Sequence, residues 1–310
     1  MRNAFADEMT ALAAADDRLV LLSGDIGNRL FDGFKARCPG RFYNCGVAEA
    51  NMVGVAAGLA MSGLRPVCYT IAAFGTFRCL EQIRVDLCYH HLPVVIVGAG
   101  SGLAYASLGG THHSCEDAGM LRLLPGMTVL APGDPWEVRS CLREALRLAG
   151  PSYLRIGKKG EPGIHSAPPD VGAGRALVVR PGRDLGILAA GVVLPACLEA
   201  AGLLARRGIE AEVVSCPSIK PLDEAMLGRV FSEFPLVATV EEHSRLGGLG
   251  GAVAEWMTDQ PRVRARLARL GTPDEFWHET GGQEHAHERM GLTPPALAES
   301  LAGALAQGAK

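Results

Sequence analysis

No excess of either charge marks this chain: 30 Lys and Arg stand against 33 Asp and Glu, a net charge of -3. That balance gives no polyelectrolyte basis for binding nucleic acid or acidic membranes. Its nine cysteines, from Cys38 to Cys216, form no C-x-x-C pair, which argues against a zinc site or a redox motif. The longest apolar stretches fall short of a membrane span. MRNAFADEMTALAAADDRLVLL lacks a signal peptide's apolar core and cleavage site, so a cytoplasmic location is expected. Internal repeats and low-complexity tracts are missing too. Aromatics are sparse at 5%, whereas 39 glycines and 48% hydrophobic residues describe an ordinary globular chain with a sizeable core. A length of 310 residues allows about two domains.

What is present is an alternation of short apolar strands with amphipathic helices. Strand-like runs RLVLLSGD, RPVCYTIA, PVVIVGAG, MTVLAPG and PSYLRIG are separated by helical stretches, one of them from about Gly75 to Tyr89. This order predicts an α/β domain over residues 1–160, with a mainly parallel sheet flanked by helices. The Pro- and Gly-rich KKGEPGIHSAPPDVGAG leads into a linker placed at 161–180. The pattern then restarts with DLGILAAG, a helix, IEAEVVSC, a helix, LVATVEEH and a further helix. That predicts a second α/β domain at 181–310, roughly 130 residues long.

One stretch raises a chemical question. In NCGVAEANMVGVAAGLAMSG, residues 44–63, the ionisable Glu49 opens a run that is otherwise small and apolar. A helix apolar all round is expected to be buried, and a carboxylate at its start is costly unless paired. Glu49 is then either an N-terminal capping carboxylate or a carboxylate held for proton chemistry. HETGGQEHAHE offers two histidines at i, i+2, which do not share a helical face, and no metal site is assigned to this chain. RLGGLGG lacks the spacing of a dinucleotide fingerprint and is read as a close approach of loop and helix to the sheet.

Five blocks, GVAEANMVGVAAGLAMSGLRPV, AAFGTFRCLEQIR, GGTHHSCEDAGMLRLLPGMTVLAPGDPWE, SIKPLD and EEHSRLGGLGGAVAE, resemble successive motifs of the transketolase family's pyrimidine-binding and C-terminal domains. Within the family the chain is similar to the smaller subunit of a split transketolase. Such enzymes hold the cofactor's diphosphate and its metal with a G-D-G…N motif in a separate domain, and no G-D-G occurs here. The resemblance implies thiamine diphosphate shared with a pyrophosphate-binding N-terminal subunit, Mg2+ or Ca2+ held by that partner, and an α2β2 heterotetramer.

By the same resemblance Glu49 faces N1′ of the aminopyrimidine and stabilises the tautomer whose imino group removes the C2 proton. Phe74 matches the aromatic that stacks on the aminopyrimidine, with plain core packing as the other reading. Phe77 matches a neighbouring pocket aromatic, and Ile71 stands where many members have another aromatic. His112 matches a histidine that hydrogen-bonds the donor's oxygen, with His113 behind it, and Arg155 matches a phosphate-binding arginine of related synthases. Asp25 reaches the thiazolium side or simply forms a turn. Leu108 replaces the acid of a D-G-x-T-H frame, which implies an unusual sugar, deoxy or nucleotide-linked. The implied activity is transfer of a two-carbon ketol unit between sugars or sugar phosphates. The alternatives are 1-deoxyxylulose-5-phosphate-synthase-like or 2-oxo acid dehydrogenase E1β-like acyl transfer, and a non-catalytic scaffold subunit.

Overall fold

A computed structural model describes residues 1–307 apart from 28, 159 and 262; residue 159, in the Pro- and Gly-rich stretch, and 308–310 lie outside the described residues. The strands in chain order are β1 (Leu19–Ser23), β2 (Phe42–Asn44), β3 (Arg65–Ile71), β4 (Val95–Ala99), β5 (Thr128–Leu130), β6 (Ser152–Ile156), β7 (Leu177–Arg180), β8 (Leu185–Ala190), β9 (Ala211–Ser215), β10 (Ser218–Lys220), β11 (Leu236–Ser244) and β12 (Arg266–Thr272). They build a sheet of order β10-β5-β6-β4-β3-β1-β2 and a second of order β12-β11-β8-β9-β7. All pairings are parallel except those made by β10 and β7.

The apolar runs follow from burial on both faces of a parallel sheet. Val20, Leu22, Cys68, Ile96 and Tyr153 point to one side, against Met52, Val53, Ile83 and Leu87. Leu21, Val67, Tyr69, Val97 and Leu154 point to the other, against Phe5, Met9, Val138 and Leu142. This is the period-two alternation of strand side chains. The first cluster continues into the second sheet through Leu188, Val214 and Val237, so one apolar body underlies both.

Local sequence sets the junctions. D-P-W-E starts the helix Pro135–Ala145, where the Asp134 carboxylate accepts from the amides of Trp136 at 2.9 Å and Glu137 at 2.7 Å. The same carboxylate accepts from the amides of Ile164 and His165 at 2.8 and 2.9 Å, which ties the stretch after β6 to that helix. β10 crosses to the first sheet and pairs antiparallel with β5. From there Lys220 Nζ donates to the carbonyls of Arg122 and Leu124, at the end of the helix Asp117–Arg122.

Three expectations change. The helix expected from Gly75 to Tyr89 is a succession of short turns ending in a wide π-type segment, Ile83–Tyr89, because the backbone departs from helical values at Thr76 and Cys79, with φ near -110°. The helix Glu49–Met61 is not buried all round: Asn51, Val55, Gly58 and Met61 are exposed, because none of the described residues covers that stripe. The stretch placed as a linker ends in β7, which pairs antiparallel with β9.

Candidate active site

Glu49 is 1% exposed at the first turn of the helix Glu49–Met61. The turn before it needs Gly46 at φ 69°, whose amide donates to Asn44 Oδ1 at 2.9 Å. Neither carboxylate oxygen is used as a helix cap. The Thr70 hydroxyl donates to Oε1 at 3.1 Å, and Arg78 Nη1 donates to Oε2 at 2.6 Å. The Arg78 side chain is 44% exposed, so the pair runs from the core to the surface. Gly24, just after β1, lets the backbone lie against this carboxylate: a Cβ there would sit 2.8 Å from Thr70 Oγ1 and 3.1 Å from Glu49 Oε1.

Aromatic groups extend the site outward. The Arg78 guanidinium lies over the Phe74 ring, 4.5 Å from its centroid. Phe74 meets His112 edge-on at 5.0 Å between ring centroids, and His112 meets Tyr105 at 6.1 Å. The Thr111 hydroxyl and His112 Nδ1 pair at 2.8 Å, which orients the imidazole. Gly24 follows β1, Thr70 to Arg78 span the end of β3 and the turns after it, and His112 follows β4. All lie at the carboxyl ends of adjacent parallel strands, where open α/β sheets bind ligands.

Glu49, Phe74 and His112 are thus brought together. Asp25 borders them on an exposed turn at φ 59°, its carboxylate accepting from Asn44 Nδ2 at 2.7 Å. Ile71 is buried at the end of β3, whereas Phe77 is exposed. Leu108 is 53% exposed on the His112 loop, so it does not line a closed apolar pocket. His113 turns inward beside Phe276; both its ring nitrogens lack partners among the described residues, and burial lowers its pKa. Arg155 is largely engaged within the chain. It is buried, with Nε on the Asp117 carboxylate at 3.0 Å and Nη2 on the carbonyls of Ser114 and Glu242, so most of its fork serves as an internal tie and not as an open phosphate clamp. The cation beside Glu49 is Arg78, which the sequence reading passed over. It lies four residues after Phe74 in AAFGTFRCLEQIR, and the turns between them bring its guanidinium over the Phe74 ring. The two histidines at i, i+2 in HETGGQEHAHE go to separate acids, His285 to Glu279 and His287 to Glu242, and no cluster of metal-ligating groups occurs among the described residues.

Comparison with known proteins identifies both domains. Residues 1–161 match the family described as transketolase, pyrimidine binding domain, and residues 174–297 match transketolase, C-terminal domain. The chain is 37% identical over 302 residues to one of the subunits of the apulose-4-phosphate transketolase of Phocaeicola vulgatus, covering 96% of each. It is 37% identical over 294 residues to the SqwH subunit of the 6-deoxy-6-sulfo-D-fructose transketolase of a Clostridium species, covering 94% of this chain and 90% of that one. A solved structure described as a split gene transketolase, inactive beta4 tetramer, superposes with a TM-score of 0.89 at 33% identity, covering 98% of this chain and 97% of that one. On the site at the strand ends, the two matched domains and the relatives matched along nearly their full length, the chain belongs to the transketolase family.

Proposed function

We propose that this chain is the β-type subunit of a two-subunit, thiamine-diphosphate-dependent transketolase that moves a two-carbon ketol unit between sugars. The observation that carries the reading is the buried Glu49 carboxylate, engaged by Thr70 and Arg78 and not by its own helix, with the Arg78 guanidinium linking it to the Phe74 ring. A carboxylate beside an aromatic face suits a protonatable heteroaromatic ring, and the close approach of Gly24 leaves that carboxylate edge slim. These residues fit the aminopyrimidine.

Thiamine diphosphate supplies carbanion chemistry when bound. Glu49 would hold or return a proton at N1′, Phe74 would offer its ring face, and His112, oriented by Thr111, would donate a hydrogen bond to a substrate oxygen. Burial around Glu49 excludes water from the proton it handles.

The diphosphate and its Mg2+ or Ca2+ belong to a pyrophosphate-binding partner, since the chain has no G-D-G sequence. The exposed apolar residues Val47, Val55 and Met61, on and beside the helix that Glu49 opens, give such a partner a surface next to the site. An α2β2 assembly in the cytoplasm fits this division. Both relatives reported above are named for uncommon sugars, apulose 4-phosphate and a sulfonated deoxyfructose, which supports a specialised sugar here as well, with Leu108 exposed on the His112 loop in place of an acid that would bond a hydroxyl.

Calorimetry tests the division of labour. The purified chain titrated with thiamine diphosphate and Mg2+ is expected to give no heat of binding until the pyrophosphate-binding subunit is added. Micromolar binding by the chain alone would overturn the reading.

A further inference from the structure

The loop that carries His112 is held in place from the other domain. Residues 102–114 leave and rejoin the domain through a closed pair, Gly102 N–H to Ser114 O at 2.9 Å and Ser114 N–H to Gly102 O at 2.8 Å. At that neck the Leu103 amide donates to Glu242 Oε1 at 2.6 Å. Glu242 belongs to β11 of the second sheet and is 0% exposed. Its other oxygen accepts from Gln283 Nε2 at 2.8 Å and pairs with His287 Nε2. The fit leaves no slack: at Gly102, with φ 62°, a Cβ would stand 2.1 Å from Glu242 Oε1 and 2.8 Å from its carbonyl oxygen.

The attachment is reinforced on both sides. Ser244 N–H donates to the Cys115 carbonyl at 2.7 Å, and Arg155 Nη2 donates to the carbonyls of both Ser114 and Glu242. Beneath the neck Leu103, Ala106 and Cys115 pack against Trp277 and Ala286. That small apolar core would hold the segments together without a charge. A buried ion pair adds little stability over apolar packing, so what Glu242 adds is direction: it accepts from one chosen amide and fixes the register of the loop. Burial opposes the protonation of His287, yet its hydrogen bond to Glu242 and the charges of Glu242 and Glu284 together raise its pKa.

We propose that Glu242 is a positioning residue for the transfer site: by gripping the Leu103 amide from the second domain, it fixes the loop 102–114 so that His112 stays against Phe74. The catalytic half of this inference rests on the function proposed above; the structural half does not.

The test uses Glu242→Ala, Glu242→Gln and His287→Ala. In the purified chain, Glu242→Ala should speed hydrogen exchange of amides 102–114 by on the order of tenfold to a hundredfold relative to β-core amides, the value of a hydrogen bond to a charged group. It should also shift and broaden the His112 ring resonance. Glu242→Gln, which keeps an acceptor for Leu103, should restore most of both. In the enzyme assembled with its pyrophosphate-binding subunit, Glu242→Ala should lower kcat roughly tenfold or more, as misplacement of a catalytic group does, with KM for thiamine diphosphate within about twofold, because the mutated group touches no cofactor. Parent-like exchange and kcat in a folded Glu242→Ala chain would overturn the inference. If that variant does not fold, His287→Ala decides: faster exchange in the same amides supports the grip, and unchanged exchange overturns it. An assembled parent inactive with every ketose donor would defeat the proposed function, while the exchange data would still judge the grip.

Discussion

Replacing Arg78 by Met should expose how Glu49's charge is held. The Arg78 guanidinium makes the 2.6 Å bond to Glu49 Oε2 and lies 4.5 Å from the Phe74 ring centroid, and Glu49 is 1% exposed. Stranding one member of a fully buried pair costs about 3–5 kcal/mol. Here the arginine is 44% exposed, so water reaches Oε2 once the guanidinium is gone, and roughly 1–2 kcal/mol is the expected penalty. The lost cation–π contact adds about 0.5–1 kcal/mol. In a domain of this size the sum corresponds to a fall in Tm of roughly 3–12 °C. The assay is a double-mutant cycle by thermal or urea unfolding of the parent, Arg78→Met, Glu49→Gln and the double variant. The Arg78→Met penalty should shrink by about half or more in the Glu49→Gln background, because the carboxylate that needed a partner is gone. An equal penalty in both backgrounds would refute the reasoning, since Arg78 would then stabilise the chain through Phe74 alone.

Gly24→Ala places a methyl group 2.8 Å from Thr70 Oγ1 and 3.1 Å from Glu49 Oε1; it should destabilise by about 1–3 kcal/mol, as overpacking does, read from the urea midpoint, and parent-like stability would contradict the close approach. Leu108→Asp, on the exposed part of the His112 loop, should shift donor preference toward hydroxylated phosphosugars a few-fold, from about 0.5–1.5 kcal/mol for one hydrogen bond, measured across xylulose 5-phosphate, fructose 6-phosphate and deoxy-sugar donors. No shift, with xylulose 5-phosphate already used efficiently by the parent, would remove Leu108 from the account of specificity.

The layered α/β order was legible because parallel strands buried on both faces are rich in apolar residues, and β1, β3, β4, β6, β8, β9 and β11 are buried along all or nearly all of their length. Strands without that burden were not legible. β2 and β10 have three residues each, and β12 reads RLARLGT, a half-buried edge strand. Of the site, Glu49, Phe74 and His112 could be picked out from their blocks, and the structure brings them to one row of strand ends. Arg78 and Arg155 were not legible: Arg78 pairs with Glu49, and Arg155 with Asp117. Both are arginines beside apolar residues, and only the position of Asp117 decides that Arg155 points inward. The grip of Glu242 on Leu103 spans 139 residues and joins two domains, a separation at which local pattern carries no signal. The exposed stripe of the helix Glu49–Met61 is the converse case: its residues read as core, and hydropathy does not say whether the covering surface comes from the same chain.

The central claim is that Glu49 handles a proton for the cofactor. The most direct measurement is hydrogen–deuterium exchange at C2 of thiamine diphosphate in the assembled enzyme, comparing the parent with Glu49→Gln. Gln preserves the volume and an acceptor for the Thr70 hydroxyl but cannot exchange a proton at N1′. The account predicts that exchange slows by about 10²- to 10⁴-fold while the variant still folds and still joins its partner. Parent-like exchange in a folded, assembled Glu49→Gln enzyme would contradict it.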